Sequence, residues 1–441
     1  MTQFSNTSPI FQREEVLREE YHPDHLPERT EEMEDLHMSL APAARGVGAN
    51  NVFLHGKAGQ GKTAAAKAKL SELQAHAEEE SDHLDLTTAY VSCESHDLST
   101  SYKAASRIYQ ELTGNSRPTG YATDVVMDMM FEAMNKIGGT IIIVLDEIDT
   151  LGDDDRILYS LPRARAQDYV EDHVFPSIIG ISNDLQWRDD LSPKVKSSLY
   201  DDSVLFSPYD ATQLQQILRR RAAKAFRDTE LTPIDQVDAD GVPKGTVVEI
   251  DQSGQEYLFR SGVLTDDVIP LVAALSAQDT GDARQAIKYL RKASELADKH
   301  GDDQVSAEHA REAQALVERE AVVEAMREMT IQAHLALAAL TALEISGDAP
   351  VRAKPIYGVY KSVASRIDAD KLGQRRFKDH LRELDMQGIA EGEKVTAGSI
   401  GGPAWEYQLQ VDTEIAVEVL KNTARFTDID FEHISADRTN G

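Results

Sequence analysis

Apolar and polar positions follow two different periods along this chain of 441 residues. Between about residues 50 and 206, short apolar runs alternate with stretches of helical period, and the runs lie near Val52 to His55, Ala89 to Ser92, Thr140 to Leu145, Ser177 to Ser182 and Val204 to Phe206. Runs of strand length separated by helices predict βαβ units and a parallel sheet, hence an α/β domain. The first ~45 residues are polar and partly helical (REEVLREEY, then RTEEMEDLHMSLAPAAR), punctuated by Pro23, Pro27 and Pro42.

From about residue 211 the pattern turns helical: QLQQILRRRAAKAF, LTDDVIPLVAALSAQ, then ARQAIKYLRKASELADKH. Between the first two lies an acidic insert, about 228–262, with 8 acidic and 2 basic residues, in which Thr246 to Ile250 and Tyr257 to Phe259 flank Gly254 and predict a small hairpin. After residue 320 come three helical patterns, a strand-like AWEYQLQV and a final helix, an order that suits a winged helix. The expected division is 1–210 for the α/β core with its N-terminal extension, 211–320 for a helical domain, and 321–441 for the C-terminal domain.

Charge changes how partners are read. There are 46 basic and 76 acidic residues, a net charge of −30. Acidic residues are spread over nearly every segment, and Arg outnumbers Lys, as expected of a halophilic surface whose self-repulsion is screened at a Debye length of ~3 Å in 1 M salt. Overall charge is then a poor guide to partners, and local departures from it become informative. The single cysteine, Cys93, excludes a disulfide framework and a cysteine-based zinc site. The N-terminal residues carry no basic-then-apolar leader pattern, and no stretch nears the ~18 apolar residues of a membrane span. A soluble, cytoplasmic protein without a membrane partner is expected.

The sharpest chemistry is Gly56-Lys57-Ala58-Gly59-Gln60-Gly61-Lys62-Thr63, a complete G-x-x-x-x-G-K-T after the strand NVFLH and before a helical run. Glycines let backbone N–H groups wrap a phosphate, Lys62 reaches the β and γ phosphates, and Thr63 holds Mg²⁺. The expected ATP/ADP site is therefore Gly59, Gln60, Gly61, Lys62 and Thr63, with Ala64 and Ala65 of the first helical turn. The run Ile141 to Leu145 delivers Asp146 and Glu147 at its end. Charges beside so apolar a strand are costly unless they meet a cation, which points to Asp146 in the Mg²⁺ shell and Glu147 polarising the attacking water. A third run, SIIGISND, ends in Asn183, whose amide can orient that water or sense the γ-phosphate. Together these point to ATP hydrolysis.

At this point the chain resembles the archaeal replication initiators of the origin-recognition and cell-division-control-six type, AAA+ ATPases with a C-terminal winged helix. The resemblance runs through REEVLREEYHPDHLPERTEEMEDL, NVFLHGKAGQGKT, IIIVLDEIDTL, IIGISNDLQWRDDLSPKVKSSL, VLFSPYDATQLQQILRRRAAKAF, GDARQAIKYLRKASELA and RRFKDHLRELDMQGIAEGEKVTAGSIGG. It implies an AAA+ phosphate-loop sheet with a helical lid over 211–320. It also implies that the segment around Leu26, Pro27 and Arg29 lies near the adenine, that Tyr209 and Arg221 contact the nucleotide, and that Arg284 in GDAR is a lid arginine reaching the phosphates. A stripe of Ala283, Ile287, Leu290 and Leu296 is expected to face the lid core, leaving Arg284 at the opening turn. One departure is Lys194 in SPKVKSSL, where the family usually carries an arginine finger; an ammonium cannot make the planar bidentate contact of a guanidinium. Slow turnover is expected, with the nucleotide acting mainly as a switch.

Between Val351 and Lys378 the charge reverses: 8 basic residues (Arg352, Lys354, Lys361, Arg366, Lys371, Arg375, Arg376, Lys378) against Asp368 and Asp370, a net of 8 − 2 = +6. Phe377, Leu381 and Leu384 fall on one helical face, so Gln374, Arg375, Lys378 and Arg382 can project elsewhere, the layout of a recognition helix. Arg366, Lys371, Arg375, Arg376 and Lys378 are the expected DNA contacts. The wing, Gly398 to Trp405, lacks the arginine usual in the family; it either reads DNA shape through backbone and apolar contact or contributes little to specificity. An initiator-specific helix is expected within Leu98 to Gly120. The expected function is an ATP-dependent initiator that binds duplex origin DNA, self-associates on it and helps recruit the MCM-type replicative helicase. The alternatives are an ATP-sensing winged-helix transcriptional regulator and a remodelling or clamp-loader-like AAA+ ATPase.

Overall fold

Five consecutive apolar residues, Ile141 to Leu145, are all fully buried, because the strand they form is covered on both faces. In the computed structural model, which describes residues 8–23, 25–79, 84–96, 98–151, 154–184, 187, 191–199, 202–236, 246–249, 256–395, 404–427 and 429–431, the strands are β1 (Val52–His55), β2 (Leu86–Ser92), β3 (Gly139–Asp146), β4 (Val174–Ser182) and β5 (Asp202–Leu205). They form one sheet, ordered β2-β3-β4-β1-β5, and every pairing is parallel. Alternate residues face opposite sides. Val52, Leu54, Ile142, Val144, Ile179 and Ile181 pack with Leu36, Ala65 and Leu70, while Phe53, Val91, Ile141, Ile143 and Leu145 pack with Ile108, Met130 and Met134. The register sets Ser92 beside Asp146, Asp146 beside Ile181, and His55 beside Ser182. Loop and carboxylates therefore meet at one C-terminal sheet edge, where open α/β sheets place ligands.

The chain divides into two compact units, Met1–Ala313 and Gln314–Gly441. In the first, the sheet is followed by the helices Ala211–Ala225, Val268–Asp279 and Ala283–His300. Asp210 starts the first with a capping box, its side chain accepting from Gln213 N–H while the Gln213 side chain accepts from Asp210 N–H. The predicted hairpin has a third strand: β6 (Thr229–Pro233), β7 (Thr246–Glu249) and β8 (Glu256–Ser261) lie antiparallel in the order β6-β8-β7. β6 escaped the sequence pattern because TELTP is short and ends in proline. Residues 237–245 and 250–255 of the acidic insert lie outside the described residues.

The N-terminal extension serves two parts of this unit. Ile10, Val16 and Leu17 are buried, and the Gln12 and Arg13 amides donate to Ala225 O at 2.8 and 3.0 Å, so residues 10–17 seat on the lid helices although the sequence pattern groups them with the core. The helix Thr30–Leu40 instead buries Leu36 against the sheet.

In the second unit the helices Ile331–Ile345, Ala353–Arg366, Gln374–Met386 and Thr413–Asn422 surround a small sheet of β9 (Val351–Arg352), β10 (Ala390–Val395) and β11 (Ala404–Leu409), ordered β10-β11-β9. The helix Ile331–Ile345 is apolar almost all round and buries every residue from Ala333 to Leu343, as a helix at the centre of a bundle does. Residues 396–403 of the expected wing lie outside the described residues.

Candidate functional site

The loop between β1 and the helix Lys62–Glu79 bends through three glycines at positive φ, Gly56, Gly59 and Gly61. Side chains are excluded there by space as well as by torsion: a Cβ on Gly59 would run into the Asp282 carboxylate, and one on Gly61 would sit 2.8 Å from the Tyr209 hydroxyl. Lys62 is only 4% exposed. Its Nζ donates to Gly56 O (2.7 Å), Lys57 O (2.7 Å) and Asn183 Oδ1 (2.9 Å), all neutral oxygens. Burial pushes its pKa down to about 8, against the upward pull of Asp146. A buried ammonium held by neutral acceptors is short of negative charge. Beside it, the first-turn amides of the helix have no intrahelical acceptor. Both features suit a phosphate. The side-chain amide of Gln60, 1% exposed, lines the same cleft with neither its nitrogen nor its oxygen paired.

The carboxylates stand opposite. Thr63 Oγ1 donates to Asp146 Oδ2 at 2.9 Å, and the Tyr90 hydroxyl donates to the same oxygen. These converging oxygens fit Mg²⁺, a hard cation that takes one or two protein oxygens and keeps several waters. Glu147 adopts a left-handed conformation, φ 58°, which turns the chain sharply as it leaves β3. Its Oε2 accepts from Ser92 Oγ at 2.9 Å. Burial raises the Glu147 pKa, the Ser92 bond opposes that rise, and the neighbouring Asp146 charge adds to it. Asn183 is at the expected strand tip, but its Oδ1 is engaged by Lys62.

The lid closes over the same loop. Ala283 N–H donates to Gly59 O at 3.2 Å. Asp282 caps the helix Ala283–His300, accepting from Arg284 N at 2.6 Å and Gln285 N at 3.4 Å. Ala283, Arg284 and Ile287 line the cleft together with Lys62, Thr63, Ala64, Asp146, Glu147 and Asn183. The expected stripe holds in half: Leu290 and Leu296 are buried, together with Ala286, Tyr289, Ala293, Ser294 and Ala297, while Ala283 and Ile287 turn to the cleft beside Arg284.

Tyr209 and Leu26 also line the cleft. Arg29 is buried behind it, stacked 3.8 Å from the Tyr209 ring centroid, donating to Gln60 O (3.1 Å) and Ser207 O (2.5 Å) and paired with Glu32 at 2.7 Å. It thus braces the phosphate loop from outside. Arg221 lines the cleft, but its guanidinium is held by Val16 O (2.8 Å) and Tyr21 O (3.3 Å) over the Tyr21 ring. Ala65 is not brought to the cleft: its side chain is fully buried under the sheet, and its amide donates to Gly61 O at 2.8 Å. Tyr90, Ser92 and Asp282 went unread in the sequence. The first two share one face of β2 and reach the active edge only through the parallel register with β3.

In the second unit, the helix Gln374–Met386 buries Phe377, Leu381 and Leu384 completely and exposes Gln374, Arg375, Arg376, Lys378 and Arg382, with Arg382 paired to Asp379 at 3.2 Å. Arg366 and Lys371 are also exposed. Lys194, in the first unit, is exposed on the helix Pro193–Leu199, and the helix Ser101–Thr113 occupies the stretch expected for the initiator-specific helix. Among the described residues no helix is long and apolar enough to cross a membrane.

A core lysine and a lid arginine facing each other across one phosphate loop is the AAA+ arrangement, here followed by a winged helix. Residues 45–184 match the family described as AAA domain, residues 250–315 the Cdc6 AAA+ ATPase-type lid domain, and residues 324–419 the CDC6 C-terminal winged helix domain. The chain is 37% identical over 430 residues to ORC1-type DNA replication protein 1 of Haloarcula marismortui, covering 97% of this chain and 96% of that one. It is 36% identical over 406 residues to an ORC1-type DNA replication protein of Thermococcus onnurineus, covering 90% and 88%. The structure of Aeropyrum pernix ORC1 in complex with DNA superposes with a TM-score of 0.76 at 32% identity, covering 96% of this chain and 99% of that one. The chain belongs to the ORC1-type DNA replication protein family.

Proposed function

We propose that the protein is an ATP-dependent DNA replication initiator: it binds ATP with Mg²⁺ between core and lid, binds duplex origin DNA through its winged helix, self-associates on that DNA and helps recruit the MCM-type replicative helicase. The observation that carries the nucleotide half is the bond from Ala283 N–H to Gly59 O, which ties the lid directly to the phosphate loop. A change at the phosphates then reaches the lid through Gly59, Asp282 and Arg284, a rigid-body coupling suited to a switch. Within the cleft, Lys62 and the loop amides hold the phosphates, Thr63 and Asp146 would hold Mg²⁺, and Glu147 orients the attacking water. Bound Mg²⁺ supplies neutralisation of charge on the phosphate oxygens. Tyr209 and Leu26 shape the cleft's outer wall, and Arg221 acts there by fixing Tyr21. Turnover is slow because Glu147 and Asn183 are both engaged by neighbours and Lys194 stands where a guanidinium would serve.

The DNA half rests on the +6 stretch and the exposed face of the helix Gln374–Met386, supported by the likeness to the Aeropyrum protein solved with DNA. Cytoplasmic, nucleoid-associated placement follows from this reading. Footprinting and gel shifts in several hundred millimolar to molar KCl, with ATP or ADP, test it. Preference for origin-proximal repeats over random duplex, lost in Lys62→Ala, is the expected result. Equal affinity for both duplexes would sink the origin-specific reading and favour a general AAA+ remodeller.

A further inference from the structure

The wing strands sort their side chains by chemistry. β10 and β11 pair antiparallel with Glu393 opposite Glu406, Lys394 opposite Trp405, Gly392 opposite Tyr407 and Ala390 opposite Leu409. Cross-strand partners share a face and successive residues alternate. One face therefore carries Glu393 and Glu406, the latter paired to Arg352 at 3.1 Å. The other carries Ala390, Gly392, Lys394, Trp405, Tyr407 and Leu409. On that second face Ala390 and Tyr407 are buried in the cluster that holds Phe377, Leu381 and Leu384 of the helix Gln374–Met386. Gly392 N–H donates to Asp385 Oδ1 of the same helix at 2.9 Å, which fixes the wing against it.

Lys394 and Trp405 continue this face past the edge of the core, toward the wing tip. Trp405 is 45% exposed, whereas the only other tryptophan, Trp187, is 9% exposed. An indole left open beside a basic side chain, on the side of the wing that holds the basic helix and away from the Glu393–Glu406 face, is placed for a partner with both apolar and anionic surface. Duplex DNA offers deoxyribose faces and phosphates side by side, and indoles serve well at such mixed contacts.

We propose that Trp405, with Lys394 beside it, is the wing's contact with duplex DNA: the indole packs on the sugar edge of the groove next to the one entered by the helix Gln374–Met386, and Lys394 takes a phosphate. This rests on the DNA-binding reading above and adds how the wing works without an arginine among residues 398–405. An apolar contact keeps its strength in concentrated salt, where counterion release yields little.

The test uses the full chain and labelled duplexes followed by anisotropy over a series of KCl concentrations. Trp187→Phe leaves Trp405 as the sole tryptophan, and its emission changes along the same isotherm as the anisotropy. Trp405→Ala binds about five- to tenfold more weakly at every salt concentration, with an unchanged slope of log affinity against log salt, and Trp405→Phe recovers most of the loss. Lys378→Ala, by contrast, lowers that slope by about one. If wild type binds duplex while Trp405 emission stays constant and Trp405→Ala binds as wild type, the wing contact is wrong and the DNA reading stands. A slope change in Trp405→Ala also overturns the apolar contact. If wild type binds no duplex at any salt concentration, the DNA reading falls and the wing contact with it.

Discussion

Ser92 Oγ donates to Glu147 Oε2 at 2.9 Å, across two neighbouring parallel strands. The bond occupies one oxygen of the carboxylate proposed to orient the attacking water, and it opposes the rise that burial gives that group's pKa. A general base whose lone pair is already engaged works less well. Ser92→Ala is expected to raise basal ATP turnover severalfold with nucleotide affinity unchanged. Glu147→Gln is expected to bind ATP and leave it unhydrolysed. Single-turnover hydrolysis and equilibrium nucleotide titration check both, and wild-type turnover in Glu147→Gln would remove Glu147 from the chemistry.

Gly59 is where the phosphate loop and the lid touch. Its φ is 72°, and an added Cβ would meet the Asp282 carboxylate. A left-handed non-glycine residue costs roughly 1–2 kcal/mol, and Asp282 must also leave its capping position. Gly59→Ala is expected to lower the thermal midpoint by several degrees and weaken ATP binding at least tenfold. Gly301→Ala, at φ 79° with nothing near the added Cβ, should show the torsional cost alone and keep nucleotide affinity.

Lys194 stands on an exposed helix turn, and under the proposed function its compact ammonium serves where a planar donor fork would be expected. Lys194→Arg is expected to increase turnover only under conditions of assembly on DNA, leaving the monomer's rate as it was. Comparing turnover with and without saturating duplex separates the two. No gain on DNA would show that this helix is not presented to a neighbouring cleft.

His334 sits in the centre of the winged-helix unit, 3% exposed, with Nε2–H donating to Met326 O at 2.8 Å. Burial holds its pKa below the ordinary 6.5. The native ring is then neutral where the unfolded one takes a proton, so stability is fully present above pH 6.5 and declines as pH falls through the interval between the unfolded and folded values. Urea midpoints of wild type and His334→Gln, measured from neutral to acid pH, are expected to converge as pH falls. A constant difference would show that the ring stays unprotonated in both states or charges freely in the fold.

Much of the molecule is legible in local pattern. Uninterrupted apolar runs such as Ile141 to Leu145 can be satisfied only in a sheet covered on both sides, and a glycine-rich turn ending in Lys62 and Thr63 needs only its own strand and helix to form. The helix Gln374–Met386 is similarly local, since spacing alone separates Phe377, Leu381 and Leu384 from the basic positions. The missed strand β6 and the two stripe positions of the lid helix that face the cleft, Ala283 and Ile287, mark where pattern is weak: a five-residue strand bounded by proline, and apolar residues that line a ligand cleft instead of a core.

What sequence determined by itself is the set of elements and the groups at their ends, because period, capping and turn chemistry act over a few residues. Tertiary structure decided which of those groups meet. Ser92 and Tyr90 reach Glu147 and Asp146 through the strand order β2-β3, Asn183 reaches Lys62 across β4 and β1, and Asp282 reaches Gly59 only because the lid folds back over the loop. These partners lie between 55 and 223 residues apart (147 − 92 = 55, 282 − 59 = 223), far beyond the reach of any local rule, and packing of the sheet and lid is what brings them into contact.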